Sequence, residues 1–420
     1  MKISCTIYFL LLQLFAFGQS HSNKTLERGE AYYSIKQYSL AIPEFERFVS
    51  RNNNTSVCMK LADCYSKTNN QDKALLLYQK LTEENEAADT VNMLYADLLK
   101  RKREYIKAKE QYMLLYKSFP NKIIYHVYAQ YCDSALSYAA VSNSKIQIEN
   151  LKEINSENSD ITPVVYKKGL SFSSNREATL IKKKTGNTNL PLFDLYLATG
   201  KDSIKPESVF SFSPKLNTIH HECCASFTAD YKKIFYTRSI DEQPGDGKGI
   251  KNTLKMFSAT WDGNNWQEIQ TFIFNDTTHS YGQPSVGANE ELFFFASDRV
   301  GGYGGTDLYV CFNLDHKWTD PVNLGADVNT AYNELYPFFH PDGSLYFSSN
   351  RPEGFGGYDI YKVVENENGD YGSIQNIGSP INSPADDLSV FWSADYKVGY
   401  FSSNREGGKG LEDLYLIRKK

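Results

Sequence analysis

The sequence lacks an excess of positive charge. Its 45 Lys and Arg residues are balanced by 50 Asp and Glu residues, so the net charge of the 420-residue chain is -5. A chain of this charge has no basic field that would attract phosphate backbones. We therefore expect no nucleic-acid partner.

Cysteine is also scarce and follows no regular spacing. Seven cysteines are present and no Cys-x-x-Cys pair occurs, which argues against a disulfide-built fold. The run from His220 to Cys224 contains metal-ligand residue types, but consecutive residues of a strand point to opposite faces. Cys223 and Cys224 should therefore face apart if they lie on a strand, and we expect neither a metal nor a cofactor.

Long apolar runs are missing apart from one at the N-terminus. It extends from Ile7 to Phe17, and Gly18 supplies a small residue at a cleavage site. The run is shorter than the roughly 20 residues that span a bilayer. We interpret residues 1–18 as a signal peptide, with an uncleaved anchor as the alternative. The mature protein should be periplasmic or outer-membrane-associated and have no membrane span.

Common enzyme motifs are missing as well. The sequence contains no Gly-x-Ser-x-Gly elbow, no P-loop, no His-Glu-x-x-His motif and no calcium-loop spacing. The seven histidines are scattered along the chain. These absences favour a protein without catalytic residues.

Aromatic residues are abundant, at 14% of the chain, and their spacing divides the sequence into two repeat systems. In residues 24–140, apolar residues recur at helical spacing and Gly and Pro are scarce. Ala41, Ala74 and Ala108 are separated by 33 and 34 residues. A small residue precedes each alanine and an aromatic residue follows it: Gly29, Ala62 and Ala96 before, and Phe45, Tyr78 and Tyr112 after.

This spacing resembles that of the tetratricopeptide family. The resemblance implies all-α helical repeats over residues 24–140, in which small residues let paired helices approach and aromatics fill the space between pairs. Leu99 replaces the Tyr expected in the third repeat. An irregular helical bundle is the alternative.

Residues 144–420 show short strands separated by Gly, Asn, Asp and Ser. A phrase related to Phe-Ser-Ser-Asn-Arg returns five times, with its arginines 62, 61, 52 and 54 residues apart: Arg176, Arg238, Arg299, Arg351 and Arg405. A period above 50 residues with about four strands per unit predicts the blades of a β-propeller. The predicted fold class is therefore all-α tetratricopeptide repeats followed by an all-β propeller of five blades, with six blades as the alternative.

The last unit lacks a fourth strand, and residues 146–152 match the missing one. We therefore expect both ends of the propeller to complete one blade and so remove the exposed sheet edges.

The repeated phrases resemble the WD40-like repeats of TolB-type propellers. Together with the signal peptide and the tetratricopeptide-like pairs, they resemble the N-terminal half of the OmpA-family envelope proteins of Bacteroidetes. That family includes a peptidoglycan-anchoring component of the type IX secretion system. Its longer members continue into an OmpA-type domain that grips peptidoglycan, whereas this sequence ends at Lys420. The resemblance therefore implies only indirect peptidoglycan contact, if any.

Two sets of repeated residues are candidates for a role. In four units an Asp opens the strand after the arginine, and a salt bridge between the two would fix the register of the strands. The predicted pairs are Arg176 with Asp194, Arg299 with Asp307, Arg351 with Asp359, and Arg405 with Asp413. In four units an acid follows the first Asn by five residues and should line an axial channel: Asp160, Glu222, Glu334 and Asp387. Such a ring could hold a cation or a ligand, but a residue repeated in nearly every blade more often makes one structural hydrogen bond each time.

These observations predict a non-catalytic scaffold of the bacterial envelope. The helical groove would hold a helix or peptide of one envelope protein and the propeller face would hold a second protein. The alternative is a glycan-active enzyme or glycan-binding protein that uses the channel carboxylates. The lack of an evident asymmetric acid pair favours the scaffold.

Overall fold

The computed structural model describes residues 24–140 and 145–420, apart from residues 36, 53, 69, 84–88, 177–190, 203, 243–250 and 365–371. The signal peptide expected at residues 1–18 lies outside the described residues. The chain forms two compact units that divide between Cys132 and Asp133. None of the helices within the described ranges combines the length and apolar character that a membrane span requires.

Seven helices occupy the described part of the first 140 residues. They are α1 (24–34), α2 (Tyr38–Val49), α3 (Thr55–Lys67), α4 (Gln71–Glu83), α5 (Asp89–Arg101), α6 (Tyr105–Ser118) and α7 (Ile124–Ala140). The side chain of Asn54 caps α3 by accepting the Val57 N–H at 3.1 Å. The helices α1 and α2 approach closely at Gly29, where an added Cβ would lie 2.6 Å from Cε1 of Phe45.

The predicted fold class is wrong in naming tetratricopeptide repeats. The structure shows seven helices but does not identify them as members of that family. Ala41, Ala74 and Ala108 are fully buried, as any stack of antiparallel helices requires where its helices cross. Because small residues at crossings and aromatics between helices serve every such stack, their spacing indicates stacking without specifying the family.

Five antiparallel sheets follow the helices. Blade 1 contains β2 (Asp160–Tyr166), β3 (Gly169–Ser174), β4 (Asp194–Thr199) and β5 (Ser208–Ser211). Blade 2 contains β6 (Glu222–Phe227), β7 (Lys233–Glu242), β8 (Lys251–Trp261) and β9 (Trp266–Thr271). Blade 3 contains β10 (Tyr281–Val286), β11 (Leu292–Ser297), β12 (Asp307–Leu314), β13 (Lys317–Trp318) and β14 (Val322–Asn323).

The remaining strands form blades 4 and 5. Blade 4 contains β15 (Glu334–Phe339), β16 (Ser344–Ser349), β17 (Asp359–Val364) and β18 (Gln375–Asn376). Blade 5 contains β19 (Asp387–Trp392), β20 (Val398–Ser403), β21 (Asp413–Lys419) and, from the start of the propeller, β1 (Ile146–Asn150).

The five blades form a closed ring. The first strands of successive units contact one another in the order β2, β6, β10, β15, β19 and back to β2, which makes them the innermost strands. The strand β1 pairs with β21 from Ile146 opposite Lys419 to Asn150 opposite Tyr415, so the predicted closure is confirmed. The five-bladed propeller is confirmed, and the six-bladed alternative is wrong for the described residues.

Apolar layers between the blades form the core of the propeller. Between blades 3 and 4, for example, Phe294 and Leu308 pack with Leu345, Phe347 and their neighbours in one buried cluster. Much of the aromatic content of the sequence is therefore used in packing one blade against the next.

Candidate functional site

The loop that leads into each blade is held to the preceding blade by an asparagine. These leading loops are residues 151–159, 212–221, 272–280, 324–333 and 377–386. In blade 4, Asn329 accepts the N–H of Leu308 at 2.8 Å and donates to the carbonyl oxygen of the same residue at 3.0 Å. The equivalent residues make the same two bonds: Asn155 with Leu414, Asn217 with Leu195, Asn275 with Met256, and Asn382 with Ile360. The repeated Asn thus continues the hydrogen bonding of the third strand.

The predicted channel acids are buried beneath these loops and do not line an open channel. Glu334 is fully buried and accepts hydrogen bonds from the Thr330 N–H at 2.9 Å and hydroxyl at 2.7 Å. Ser349 Oγ donates to the same carboxylate at 2.7 Å, and Arg351 Nη2 lies 3.3 Å away. Asp160, Glu222 and Asp387 are also fully buried and pair with arginines in the same way. Burial raises the pKa of the Asp387 carboxyl, an effect that the Arg405 guanidinium opposes.

The predicted partner of the repeated arginines is therefore wrong. Salt bridges join Arg176 to Asp160, Arg351 to Glu334 and Arg405 to Asp387, rather than to Asp194, Asp359 and Asp413. The strands pair Ser349 with Asp359, two residues before Arg351, so the arginine lies beyond the strand end and turns back to the innermost strand.

The aspartate that opens the third strand instead holds the Gly-rich turn before it. Asp307 accepts the N–H groups of Tyr303 at 2.6 Å and Gly304 at 3.1 Å. Asp413 binds the corresponding N–H groups of Lys409 and Gly410. Only some of these glycines have a positive φ: Gly301 and Gly407 do, at 90° and 86°. At Gly304 the requirement is close approach, because an added Cβ would lie 2.2 Å from the Thr330 carbonyl oxygen.

Blade 2 reaches the same arrangement from a different sequence position. Arg238 lies opposite Glu222. The other four blades have a serine at this position, and in blade 3 that serine, Ser297, lies opposite Tyr281. The Nε of Arg238 donates to the Glu222 carboxylate at 2.8 Å. On the other side of β7, Arg238 lies opposite Lys255 of β8.

Blade 3 replaces the buried acid with a tyrosine. Tyr281 occupies the acid position on the innermost strand, and its hydroxyl donates to Asp276 at 2.6 Å. Burial acts to raise the pKa of Asp276, but hydrogen bonds from Tyr281 and His279 hold it below its ordinary value. The ammonium group of Lys255 in blade 2 donates to the carbonyl oxygens of Asp276 and His279. Arg299, the predicted partner of Asp307, lies over the Tyr309 ring at 5.5 Å.

A second ring of positions, absent from the sequence prediction, lies farther along each innermost strand. The pairing register shifts at a bulge in all five innermost strands. The third residue of each has a left-handed backbone: Thr162, Cys224, Gln283, Tyr336 and Ser389, with φ between 51° and 60°. This conformation costs a non-glycine residue about 1–2 kcal/mol, and such outliers persist where the surroundings hold them.

Hydrogen bonds between blades hold these bulges. The N–H of each bulge residue donates to a side-chain oxygen of the preceding blade, for example from Cys224 to Ser173 at 3.0 Å and from Gln283 to Thr237 at 2.7 Å. In blade 4 the acceptor is the side chain of Gln283 itself, which receives the Tyr336 N–H at 2.8 Å. The hydroxyl of the first serine or threonine in the repeated phrase therefore joins blade 1 to blade 2, blade 2 to blade 3 and blade 4 to blade 5. Between blades 5 and 1 the acceptor is the hydroxyl of the bulge residue Ser389.

The bulge residues line an axial cavity of about 290 Å³. Unlike the acids behind them, they differ from blade to blade, so the cavity has a threonine, a thiol, an amide, a phenol and a serine at equivalent positions. Burial raises the pKa of the Tyr336 phenol well above its ordinary value, which keeps it neutral. Phe227, Phe338 and Phe391 are part-buried and also line the cavity.

The cavity lining contains no Asp, Glu, Lys, Arg or His among the described residues. Within those residues, no group of three His, Cys, Asp or Glu side chains is arranged to hold a metal ion. The arrangement is suited to an apolar group that makes a few hydrogen bonds to neutral partners. The sequence carried one signal for these positions, since each lies two residues after the aligned acid or, in blade 3, after Tyr281.

No protein-family model matches this chain, and no curated protein matches it. Among solved structures, a puromycin-hydrolyzing peptidase of Mycobacterium tuberculosis is 12% identical, with a TM-score of 0.34, and the match covers 62% of this chain and 37% of the peptidase. This chain therefore spans little more than a third of that protein.

Two further structures match over most of their own length. A putative TolB from Agrobacterium tumefaciens is 14% identical, with 66% of this chain and 97% of that chain covered and a TM-score of 0.37. A family 117 glycoside hydrolase from Zobellia galactanivorans is 13% identical, with 65% and 90% covered and a TM-score of 0.40. The assignment of a five-bladed propeller rests on the sheet topology of the chain itself, and the likenesses decide nothing about its activity.

Proposed function

We propose that this protein is a non-catalytic interaction scaffold of the bacterial envelope, in which the axial cavity receives an apolar segment of a partner polypeptide. The lining of that cavity carries the proposal. It is neutral and largely apolar, and the aromatic rings of Phe338 and Phe391 lie 5.1 Å apart at its wall. Such a surface gains free energy by removing apolar side chains of a partner from water.

The repeated acids do not support the glycan-active alternative. A glycosidase needs two carboxyl groups that reach the sugar from either side of the scissile bond. Here Asp160, Glu222, Glu334 and Asp387 are fully buried, and each is engaged by an arginine. Using one of them in catalysis would require breaking a buried salt bridge, which leaves an unpaired charge.

The helical unit offers a second surface for a polypeptide. Leu76 on α4 and Ile106 on α6 are 68% and 65% exposed, and Leu114 on α6 is 55% exposed. Exposed apolar side chains on helices are suited to contact with a partner helix. Two such surfaces in one chain would let it join two envelope proteins, and the signal peptide expected at residues 1–18 supports that location.

Site-specific photocrosslinking in the native envelope tests this proposal. A photoreactive residue at Phe338, in the cavity wall, should give a discrete crosslinked polypeptide. The same residue at Ile269, on the outer strand β9 and 39% exposed, is the matched control and should not give that product. Phe391→Asp should abolish the product at position 338 because it places a charge in the apolar lining. Equal labelling at both positions, or glycan turnover that Phe391→Asp abolishes, would reject the scaffold.

A further inference from the structure

Cys223 and Cys224 are consecutive residues of β6, the innermost strand of blade 2, and Cys224 lines the axial cavity. A regular strand would point their side chains to opposite faces, as expected from the sequence. The structure corrects that expectation, because the bulge in β6 lies between Cys223 and Ser226, and Cys224 has a φ of 60°. The Cys224 thiol donates a hydrogen bond to the Cys223 sulfur, so the two sulfur atoms lie together.

Neutral hydroxyl groups surround this thiol pair. The Thr162 hydroxyl is within hydrogen-bonding reach of both sulfurs, Ser173 reaches Cys223, and Thr237 reaches Cys224. The hydrogen bond from Cys224 is the main cause that lowers the pKa of Cys223, against the opposing effect of burial. Burial raises the pKa of Cys224 well above its ordinary value. The pair therefore consists of one sulfur that accepts a hydrogen bond and one thiol that donates it.

Contact with solvent or with the cavity distinguishes this pair from the other cysteines among the described residues. Cys223 is part-exposed, and Cys224, although its side chain is buried, lines the cavity. Cys58, Cys64, Cys132 and Cys311 are buried, and burial raises the pKa of Cys64 and of Cys311 to about 12. Reactive thiols are those with thiolate character and access to solvent, and redox-sensing thiols often have a second cysteine beside them.

We propose that Cys223 and Cys224 form a redox pair that a hydroperoxide converts to a reversible vicinal disulfide. The Cys223 thiolate attacks one peroxide oxygen, the O–O bond breaks, and the leaving oxygen departs as water or alcohol after taking up a proton. Cys223 is then a sulfenic acid. The Cys224 sulfur attacks the Cys223 sulfur, the S–O bond breaks, and the hydroxyl group leaves as water with the proton of the Cys224 thiol. Two thiols have then lost two electrons and two protons to one peroxide, which balances the reaction.

A disulfide between neighbours in sequence is suited to sensing rather than to stabilising the fold. Consecutive Cα atoms are about 3.8 Å apart, whereas disulfides usually join Cα atoms about 4.4–6.8 Å apart. The bridge is therefore strained and easily reduced. Because the Cys224 N–H also binds Ser173 of blade 1, closing the bridge would alter a contact between two blades.

Mass spectrometry of the mature protein tests this inference. After reduction, treatment with hydrogen peroxide should remove two hydrogen atoms from the peptide that contains Cys223 and Cys224, and a dithiol reductant should restore them. Cys224→Ser should instead leave Cys223 as a sulfenic acid that dimedone traps. A disulfide formed only between other cysteines, or Cys223 oxidised to a sulfinic acid while Cys224 remains a thiol in the unmodified chain, would overturn the proposal.

A binding measurement provides a readout that does not depend on oxidation. Phenylarsine oxide binds two neighbouring thiols, so the reduced protein should bind one equivalent. Cys223→Ser and Cys224→Ser should each abolish this binding, while Cys311→Ser, at a buried cysteine in blade 3, should retain it. Failure of the reduced wild-type protein to bind, or retention in either single variant, would contradict the proximity of the two sulfurs. Both tests are independent of any polypeptide partner, so their outcome does not depend on the proposed scaffold function.

Discussion

Blades 3 and 4 are neighbours built on the same ladder of strands, yet they hold their innermost strands differently. In blade 4 a fully buried carboxylate, Glu334, pairs with Arg351. In blade 3 the equivalent position is Tyr281, which binds Asp276 in the leading loop. Both blades nevertheless keep the asparagine bonds and the bulge of the innermost strand. A tyrosine–aspartate hydrogen bond can therefore replace the whole buried salt bridge, whereas the loop and bulge geometry is the same in both blades.

The largest difference between the two blades is expected when their arginines are removed. Arg351→Ala would leave the Glu334 carboxylate buried without its charge partner, which costs about 3–5 kcal/mol. Arg299→Ala removes an arginine that lies over Tyr309, where a cation–π contact contributes about 0.5–1 kcal/mol. The free energy of unfolding, measured by denaturant titration, should show this difference. Equal losses in the two variants would mean that the salt bridge is not what distinguishes the blades.

Removing the shared asparagines should affect the two blades equally. Asn275→Ala and Asn329→Ala each leave the N–H and C=O of one third-strand residue, Met256 or Leu308, without their side-chain partner. We expect each to cost about 2–3 kcal/mol, because unsatisfied buried backbone groups cost about 1–3 kcal/mol each. Hydrogen exchange should become faster at the Met256 amide in the first variant and at the Leu308 amide in the second. Faster exchange in one variant alone would show that the two loops are not held alike.

A smaller difference is expected at the turns between the first two strands. Gly343 in blade 4 has a φ of 88° with no atom within 4 Å of an added Cβ, whereas Glu290 in blade 3 has a φ of 58°. Gly343→Ala should destabilise by about 1 kcal/mol through backbone conformation alone. Glu290→Gly should stabilise by about 0.5–1 kcal/mol, because glycine adopts this conformation without a Cβ clash. Changes of the same sign in the two unfolding titrations would refute this interpretation of the turns.

The repeats of the propeller could be predicted from the sequence because each copy needs the same backbone contacts. The five asparagines and the closing strand at Ile146–Asn150 were visible for that reason. The partner of Arg351 was not, since the prediction joined it to the nearest acid of the next strand, and only the register shows that the strand ends at Ser349. The role of Arg238 was also hidden from the alignment of the repeats. It occupies the strand position that is a serine in the other blades, and from there its guanidinium group pairs with the buried acid.

The bulges could not be predicted because their residue types give no indication of them. Cys224, Gln283 and Tyr336 adopt a left-handed backbone that favours glycine, and contacts with the preceding blade hold it. Those contacts join residues that are distant in the sequence, as from Gln283 to Thr237 with a separation of 46 and from Tyr336 to Gln283 with a separation of 53. The cavity they line is therefore a property of the closed ring rather than of any one repeat.

The smallest expected difference between the blades is their response to acid. The pKa of Asp276 is held below its ordinary value, so its carboxylate stabilises the fold above about pH 4 and this contribution is lost as the pH falls further. Asp276→Asn should therefore be less stable than the wild type near neutral pH, and the difference should shrink on acidification. We expect a small effect, because the Asp276 side chain is 41% exposed and solvent weakens such interactions.

Tyr281→Phe provides the matched control for this response, because it removes one hydrogen bond from Asp276 and keeps the ring. The pKa of Asp276, followed by carboxyl NMR, should rise toward its ordinary value in this variant. The stability lost on acidification should then be smaller and should end at a higher pH, since the folded carboxylate takes up its proton closer to its ordinary pKa. An unchanged pKa would show that Tyr281 does not replace the buried acid electrostatically, and blade 3 would then differ from blade 4 in packing alone.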